Sequence, residues 1–321
     1  MRVRIVCPAP PGTLYGNRIT ALRWARILRE LGHRPMIATA YNGEPADLLI
    51  ALHARKSGPG AEAFHKRHPE KPIIVALTGT DLYGDIRRSV IAQEALALAT
   101  RIVALQPLAS AELAPGLRDK VEVIYQSAEK TRAAPARPFQ VCVVGHLRPV
   151  KDPFRAAMAV RSLSAESKIH VVHAGAALAL RMEARALAEQ ARNPRYRWLG
   201  ELPRAKVRRL IASSHLLVLS SRLEGGANVI SEAIVDGTPV VASRIPGSVG
   251  LLGEDYPGLY PVGDTGALQR LLLRAESDSR FYADLRARCA RLAKLFHPSR
   301  ERAAWRRLLS STSLRLANTA S

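Results

Sequence analysis

Short apolar, β-branched runs alternate with helix-period stretches along this chain, and they do so in two successive series. That alternation confines the fold to α/β layers, in which parallel strands are buried on both faces and joined by covering helices. In the first half, strands are expected at 3–7, 36–39, 48–52, 73–77, 102–105 and 121–125. The clearest helix between them is expected over 17–31, where Ala21, Trp24, Leu28 and Leu31 recur at helical spacing and Gly32 supplies the stop. Residues 127–139 carry Pro135 and Pro138 and no strand pattern, which marks a linker. The second series has strands expected at 141–144, 169–172, 196–199, 216–219 and 239–242, with helices at about 153–163, 177–192, 203–213 and 228–236. Arginine-rich helices near 280–295 and 299–310 close the chain. A length of 321 residues suits two Rossmann-like domains of about 150 residues each, expected at 1–130 and 131–296, with 297–321 left as a closing segment.

The formal net charge of +21 favours anionic partners: nucleotides, phosphorylated substrates, acidic lipids or nucleic acid. Nucleic acid is set aside, because the cations are spread along the chain and only 5% of residues are aromatic, too few for a platform that stacks single strands. Cys7, Cys142 and Cys289 are widely separated and form no CxxC pair. Such spacing suits neither a disulfide framework nor a zinc site and fits a reducing cytoplasm. Cys7 and Cys142 fall in strand patterns and are expected to pack as small hydrophobes. The first apolar run is too short for a secretory signal, and no apolar run reaches the roughly 18–20 residues that cross a bilayer. A cytoplasmic protein without stable membrane insertion is expected.

Residues 220–243 read Ser-Ser-Arg-Leu-Glu-Gly-Gly-Ala-Asn-Val-Ile-Ser-Glu-Ala-Ile-Val-Asp-Gly-Thr-Pro-Val-Val-Ala-Ser. An apolar strand runs into a small-residue loop, a helix and another apolar strand, the order in which α/β proteins build a ligand crevice at strand C-terminal ends. Glu224 and Glu232 lie eight positions apart, so a loop leading straight into the helix lets both carboxylates face one pocket. Gly225 and Gly226 allow close backbone approach to a ligand, and with Ala227 and Asn228 they lead into a helix N-terminus, where anions are favoured. In this setting the segment resembles the signature of the family 4 glycosyltransferases, enzymes of the GT-B fold that take a sugar from a nucleotide diphosphate. The resemblance implies two Rossmann-like domains whose parallel sheets face an interdomain cleft, with the last helix crossing back to the first domain. It also implies that Glu232 holds the ribose hydroxyls and that Glu224 sits by the donor sugar.

Further loops follow expected strands. Gly145-His146-Leu147-Arg148-Pro149-Val150-Lys151 precedes a helix, and a glycine turn with two cations at a helix start is a credible diphosphate site. Family 4 enzymes usually carry an arginine directly after this glycine and a lysine five residues further on. Lys151 matches the lysine, whereas His146 stands at the arginine position and the guanidinium lies at Arg148, so His146 and Arg148 are both candidates for the leaving phosphate. Gly175 resembles a further glycine turn of the family. Trp198-Leu199-Gly200 is assigned to the border of the base, with core packing an equal role for Trp198. No DxD pair occurs anywhere and the second half offers no carboxylate cluster of metal-ligand spacing, so Arg148, Lys151 and the Gly225-Gly226 amides are expected to balance the departing charge, with no metal or other cofactor.

In the first half, the loop after the first strand offers Gly12, Gly16, Asn17 and Arg18 ahead of a helix N-terminus, and family 4 enzymes use the equivalent loop near donor phosphate and acceptor. His53, Arg55 and Lys56 follow the third strand, and Thr78, Thr80 and Asp81 follow the fourth. Three potential cations and two hydroxyls suit a small, highly charged acceptor better than a neutral sugar.

Five segments carry a finer resemblance: Gly-Asn-Arg-Ile-Thr-Ala-Leu-Arg-Trp-Ala (16–25), Ala-Leu-His-Ala-Arg-Lys-Ser (51–57), Ala-Leu-Thr-Gly-Thr-Asp-Leu-Tyr (76–83), Gly-His-Leu-Arg-Pro-Val-Lys-Asp-Pro (145–153) and Arg-Ile-Pro-Gly-Ser-Val-Gly-Leu-Leu-Gly (244–253). Together they look like the selenosugar synthases of selenoneine biosynthesis. That resemblance implies attack of selenophosphate on C1 of a UDP-sugar such as UDP-N-acetylglucosamine, giving a 1-seleno-sugar, UDP and phosphate. A selenium anion is already a strong nucleophile, so the site has mainly to bring two mutually repelling anions together. The alternative is a family 4 enzyme acting on a lipid or sugar acceptor at an anionic membrane surface.

Overall fold

The structure is a computed structural model and describes residues 1–319. Two six-stranded sheets carry the chain, and the strand pairings in both are parallel.

The first unit contains Met1–Gln126, the short segment Glu224–Gly226 and the last helix. Its elements are β1 (Arg2–Val6), α1 (Gly16–Glu30), β2 (Arg34–Ala38), β3 (Leu48–Leu52), α2 (Ala54–Arg67), β4 (Ile73–Ala76), α3 (Val90–Leu98), β5 (Arg101–Ala104), α4 (Pro115–Arg118) and β6 (Val121–Val123). The strand order is β2-β1-β3-β4-β5-β6. Every residue of β3 and β4 is buried, which is why these strands read as continuous apolar runs. Helix α1 turns Ala21, Trp24, Ala25 and Leu28 inward and stops at Gly32, whose φ of +81° no β-carbon favours.

Helix α2 contains Gly58, Pro59 and Gly60, a sequence that lowers helix propensity and removes one amide. Packing decides the matter. A β-carbon on Gly58 would stand 2.5 Å from Ile91 Cγ2 on α3, so the glycine is what lets the two helices close together.

The second unit contains Ser127–Leu223 and Ala227–His297. It runs β7 (Gln140–Val144), α5 (Arg155–Val160), β8 (His170–Ala174), α6 (Leu180–Arg192), β9 (Tyr196–Trp198), α7 (Arg204–Ser213), β10 (Leu216–Leu219), α8 (Asn228–Asp236), β11 (Val240–Ser243), α9 (Pro246–Leu252), β12 (Leu259–Tyr260), α10 (Thr265–Ser277) and α11 (Ser279–Leu292). The order β12-β11-β10-β7-β8-β9 reverses between β7 and β10, and the loops leaving those two strands flank the crevice where such sheets bind ligands. Segment 127–139 is fastened along this unit: Ala128 N–H donates to Phe296 O (3.1 Å), Thr131 N–H to Asp236 Oδ1 (2.8 Å) and Ala136 N–H to Ser213 O (2.8 Å).

The last helix, α12 (Pro298–Thr319), belongs to the first unit. Fully buried Trp305 meets Trp24 of α1 edge to face at 4.8 Å, and the buried Glu301 carboxylate accepts from Trp24 Nε1 (2.8 Å) and Arg23 Nε (3.2 Å). All three cysteines are free and buried; burial pushes their thiols up, that of Cys142 to about 12, so they pack as apolar groups. Among the described residues no helix is long and apolar enough to cross a membrane.

Candidate functional site

In the second unit, the loop after β7 is built on a glycine contact and a buried histidine. A β-carbon on Gly175 would overlap Gly145 O and C and stand 2.9 Å from His146 N, so only glycine lets the loops after β7 and β8 touch. Under that contact lies His173, fully buried. Its Nε2–H donates to Gly145 O (3.0 Å), and its Nδ1 accepts from Tyr196 Oη (3.0 Å). Burial holds the imidazole down at about 4, so at neutral pH it is a neutral strut between β7, β8 and β9. Trp198 Nε1 donates to Gly175 O (2.8 Å), and its ring packs on the cluster of Leu147, Phe154 and Met182. Leu199 N–H bonds His173 O (2.8 Å) and Gly175 N–H bonds Gly200 O (2.7 Å), which pins the third loop to the same point.

The two cation-bearing positions are then distinguished. His146 Nδ1 accepts from Ala176 N–H (3.2 Å), which ties that ring to the loop after β8. Arg148 is exposed and makes no side-chain hydrogen bond or ion pair among the described residues. Lys151 ends a short turn whose carbonyls at 151 and 152 receive Ser220 Oγ (3.1 and 2.8 Å), while Arg222 N–H reaches Val150 O (2.8 Å). The loop after β7 is thereby locked to the loop after β10, on the two sides of the sheet reversal.

Glu232 is nearly inaccessible on the inner face of α8. Its Oε1 accepts from Arg204 Nη2 (2.8 Å), and Arg208 Nη1 lies 3.7 Å from Oε2. Arg208 Nη2 also bonds Asp236 Oδ1 (2.7 Å) and Glu129 O (2.7 Å). Burial pushes the Asp236 carboxyl up to about 6, and the Glu232 charge adds to this against the Thr131 amide and Arg208. Sequence reasoning passed over Arg204, Arg208, Asp236, His173 and Ser220. A signal was present for three of them: Arg204 and Arg208 on α7 and Glu232 and Asp236 on α8 are both i,i+4 pairs, of opposite sign.

In the first unit the loops after β3 and β4 interlock. Asp81, fully buried, accepts from Thr78 N–H (3.0 Å) and Gly79 N–H (2.8 Å) on Oδ1 and from Ala54 N–H (2.9 Å) on Oδ2. Expected as an acceptor-binding group, its buried carboxylate is engaged by three backbone amides and holds the loop from beneath. His53, at φ +74°, caps α2 by accepting Lys56 N–H on Nδ1 (3.4 Å), leaving Nε2–H to donate to Thr80 Oγ1 (3.1 Å). Burial depresses its pKa below the ordinary imidazole value, with Lys56 and Arg55 pushing the same way against Asp81 and Asp85. Expected as a third cation, His53 is a neutral hydrogen-bonding group at neutral pH.

Arg55 and Lys56 are exposed in the first turn of α2, and Arg55 Nε pairs with Asp85 Oδ2 at 2.8 Å. Thr78 and Thr80 are half-buried beside them in the chain's next loop. After β1, Gly12 and Gly16 are exposed, and Asn17 and Arg18 stand half-buried in the first turn of α1, with the Arg18 charge lowering Cys7 against its burial.

Glu224 is half-buried in the segment that clusters with the first unit. Within that unit Gly225 and Gly226 are small for the protein's own sake: added β-carbons would stand 2.6 Å from Thr78 C and 2.6 Å from Leu105 Cβ. Gly226 O accepts from Gln126 Nε2 (3.3 Å). Ala227 caps α8, and Asn228, its first residue, accepts Ser231 Oγ on its carbonyl (2.9 Å).

Among solved structures, the chain is similar to HepE of Anabaena in complex with UDP-glucose (TM-score 0.77, 18% identity, covering 97% of this chain and 100% of that one). It is also similar to sucrose-phosphate synthase from Thermosynechococcus elongatus (TM-score 0.77, 15% identity, 100% and 99%) and to a glycosyltransferase from Rickettsia africae (TM-score 0.71, 12% identity, 99% and 99%). No curated protein matches the chain. At these identities the likeness speaks to the fold, and with the two parallel six-stranded sheets it is the GT-B fold. A sequence model of the family described as Glycosyl transferases group 1 matches residues 126–295, and since this is more than half of the chain and includes the loops after β7 and β10, the protein belongs to that family.

Proposed function

We propose that the protein transfers a sugar, N-acetylglucosamine, from its UDP derivative to selenophosphate in the reducing cytoplasm, forming a 1-seleno-sugar without a metal ion. The observation that carries the acceptor is the start of α2. Arg55 and Lys56 occupy its first turn, which has no acidic residue, although the helix dipole disfavours cations there. The buried Asp81 carboxylate on Ala54 N–H and the Asp85 partner of Arg55 offset part of that penalty, and an anion bound beside the two exposed cations offsets the rest. The segment resemblance, which runs from residue 16 to residue 253, supports the same acceptor.

On the donor side, Glu232 takes the ribose, Glu224 the sugar, and Arg148 with Lys151 the diphosphate, at the sheet reversal where nucleotides bind in such folds. HepE, of the same fold, is known with UDP-glucose. The selenium lone pair attacks C1, and the bond from C1 to the diphosphate oxygen breaks with its electron pair going to UDP. Arg148, Lys151 and the loop amides after β10 stabilise that charge. Water then divides the selenium–phosphorus bond and phosphate leaves.

The test is incubation with selenophosphate and a panel of UDP-sugars, with products read by mass. Replacing Arg55 and Lys56 by alanine is expected to raise the apparent KM for selenophosphate at least about tenfold with little change for the UDP-sugar, the loss of two charge-assisted contacts. An unchanged selenophosphate KM rejects the assignment.

One observation favours the second reading, a lipid or sugar acceptor at an anionic membrane. Leu180 (86% exposed) and Leu187 (52%) stand one above the other on the solvent face of α6, flanked by Arg181 and Arg185. Sedimentation with acidic liposomes, together with turnover in the absence of selenophosphate, distinguishes that reading.

A further inference from the structure

The first sheet has a second cationic site at its opposite edge. Where the loops considered so far leave the ends of β1, β3 and β4, a cavity of about 290 Å³ opens at the beginnings of β5 and β6, against α12. Arg101, Lys120 and Arg307 line it together with Asp119, Glu122 and Ser311. The cavity lies wholly within the first unit.

Three features of this lining point to a ligand. Nη1 of Arg101 is buried and has no hydrogen-bond partner among the described residues, a costly state for a charged donor. None of Arg101, Lys120 and Arg307 is ion-paired among the described residues, although two carboxylates line the same cavity; Lys120 Nζ only donates to Ala97 O (3.1 Å). Ser311 Oγ donates to Leu308 O (2.9 Å), so toward the cavity it offers lone pairs. The guanidinium groups suit a phosphate, which they grip with paired N–H donors, while Asp119, Glu122 and Ser311 offer acceptors for hydroxyl groups.

We infer that this cavity binds a phosphomonoester of about hexose size, with the phosphate between Arg101 and Arg307 and the hydroxyls toward Asp119 and Glu122. Arg101 and Lys120 belong to the sheet edge and Arg307 and Ser311 to α12, so the ligand ties the last helix to the sheet. The inference is independent of the proposed acceptor and donor, because none of these residues takes part in the transfer.

Melting of the full chain is followed with glucose 6-phosphate, glucose and inorganic phosphate, for the parent, Arg307→Gln, Arg101→Lys and the Arg55→Ala/Lys56→Ala/Arg148→Ala variant. Glucose 6-phosphate at about ten times its Kd should raise the parent Tm by a few degrees, on the order of the linkage for one bound ligand. Glucose should not, and inorganic phosphate should act more weakly. The shift should disappear in Arg307→Gln, fall at least about tenfold in apparent affinity in Arg101→Lys, and persist in the triple variant. Arg307 is exposed, so its replacement leaves the unliganded Tm in place and reports on binding alone. A shift that survives in Arg307→Gln, vanishes in the triple variant, or is matched by glucose or by phosphate alone overturns the inference.

Discussion

Replacing Gly175 by alanine tests the geometry on which the donor reading rests. The added β-carbon would overlap Gly145 O and C well inside the 3.0 Å that real contacts respect, so the loops after β7 and β8 must part by roughly 1 Å. Four hydrogen bonds meet at that junction: His173 Nε2 to Gly145 O (3.0 Å), Gly145 N to Ala174 O (3.0 Å), Gly175 N to Gly200 O (2.7 Å) and Trp198 Nε1 to Gly175 O (2.8 Å). Losing two of them at about 1 kcal/mol each, and leaving one buried group unsatisfied at about 1–3 kcal/mol, amounts to roughly 3–5 kcal/mol. For a protein of this size that lowers Tm by on the order of 10 °C. Arg148 and Lys151 ride on the displaced loop, so UDP binding measured by calorimetry at low temperature should weaken at least about tenfold. Gly145→Ala is the control, because its β-carbon would meet nothing within 4 Å. If Gly175→Ala melts within 2 °C of the parent, about the shift of a surface substitution, and binds UDP as tightly, the wedged-loop argument is wrong.

Three further outcomes are expected. His173 has a folded pKa of about 4, below the ordinary 6.5, so its contribution is complete above about pH 6.5 and is lost as pH falls toward 4; on the order of 3 kcal/mol separates the parent from His173→Asn across that window in urea melts, and a flat difference would remove the neutral strut. Glu232→Gln should weaken UDP binding more than about tenfold, and Arg204→Ala, which releases Oε1 of that glutamate from a half-exposed partner, about threefold; equal affinities for all three proteins would take Glu232 away from the nucleotide. Trp305→Ala should cost about 3–5 kcal/mol and expose α12 to limited proteolysis near residue 298, whereas an unchanged digestion pattern would mean that the edge-to-face pair with Trp24 does not hold the helix.

Much of the architecture was readable because the sheets are buried on both faces. Runs such as Leu-Leu-Ile-Ala-Leu at β3 and Leu-Leu-Val-Leu at β10 need no alternation to be recognised, since turn residues and helix-period stretches bound them. The expected strands correspond to β1 through β11, within the usual uncertainty of ends. β12 escaped because two residues carry no period. Helix α2 hid for a different reason: its glycines serve contact with α3, and contact between elements distant in sequence overrides local propensity.

The site was readable as a set of places and much less as a set of partners. Glycine-bearing loops at the ends of strands mark where a ligand can come, but Asp81 and Lys56, a few residues from strand ends in the same way, have opposite duties. Asp81 spends both oxygens on the amides of residues 54, 78 and 79, whereas Lys56 sends its ammonium outward and lends only its amide to His53. A loop aspartate that organises three amides has the same sequence signature as one that binds a substrate, because the difference lies in which atoms across the loop face it. The same holds for His53, whose charge depends on burial and not on residue type. On the proposed reading, acceptor affinity also depends on residues that never touch the acceptor: Asp81 and His53 take up the amides of Ala54 and Lys56 and fix Thr80, and so hold in place the turn that carries the exposed cations.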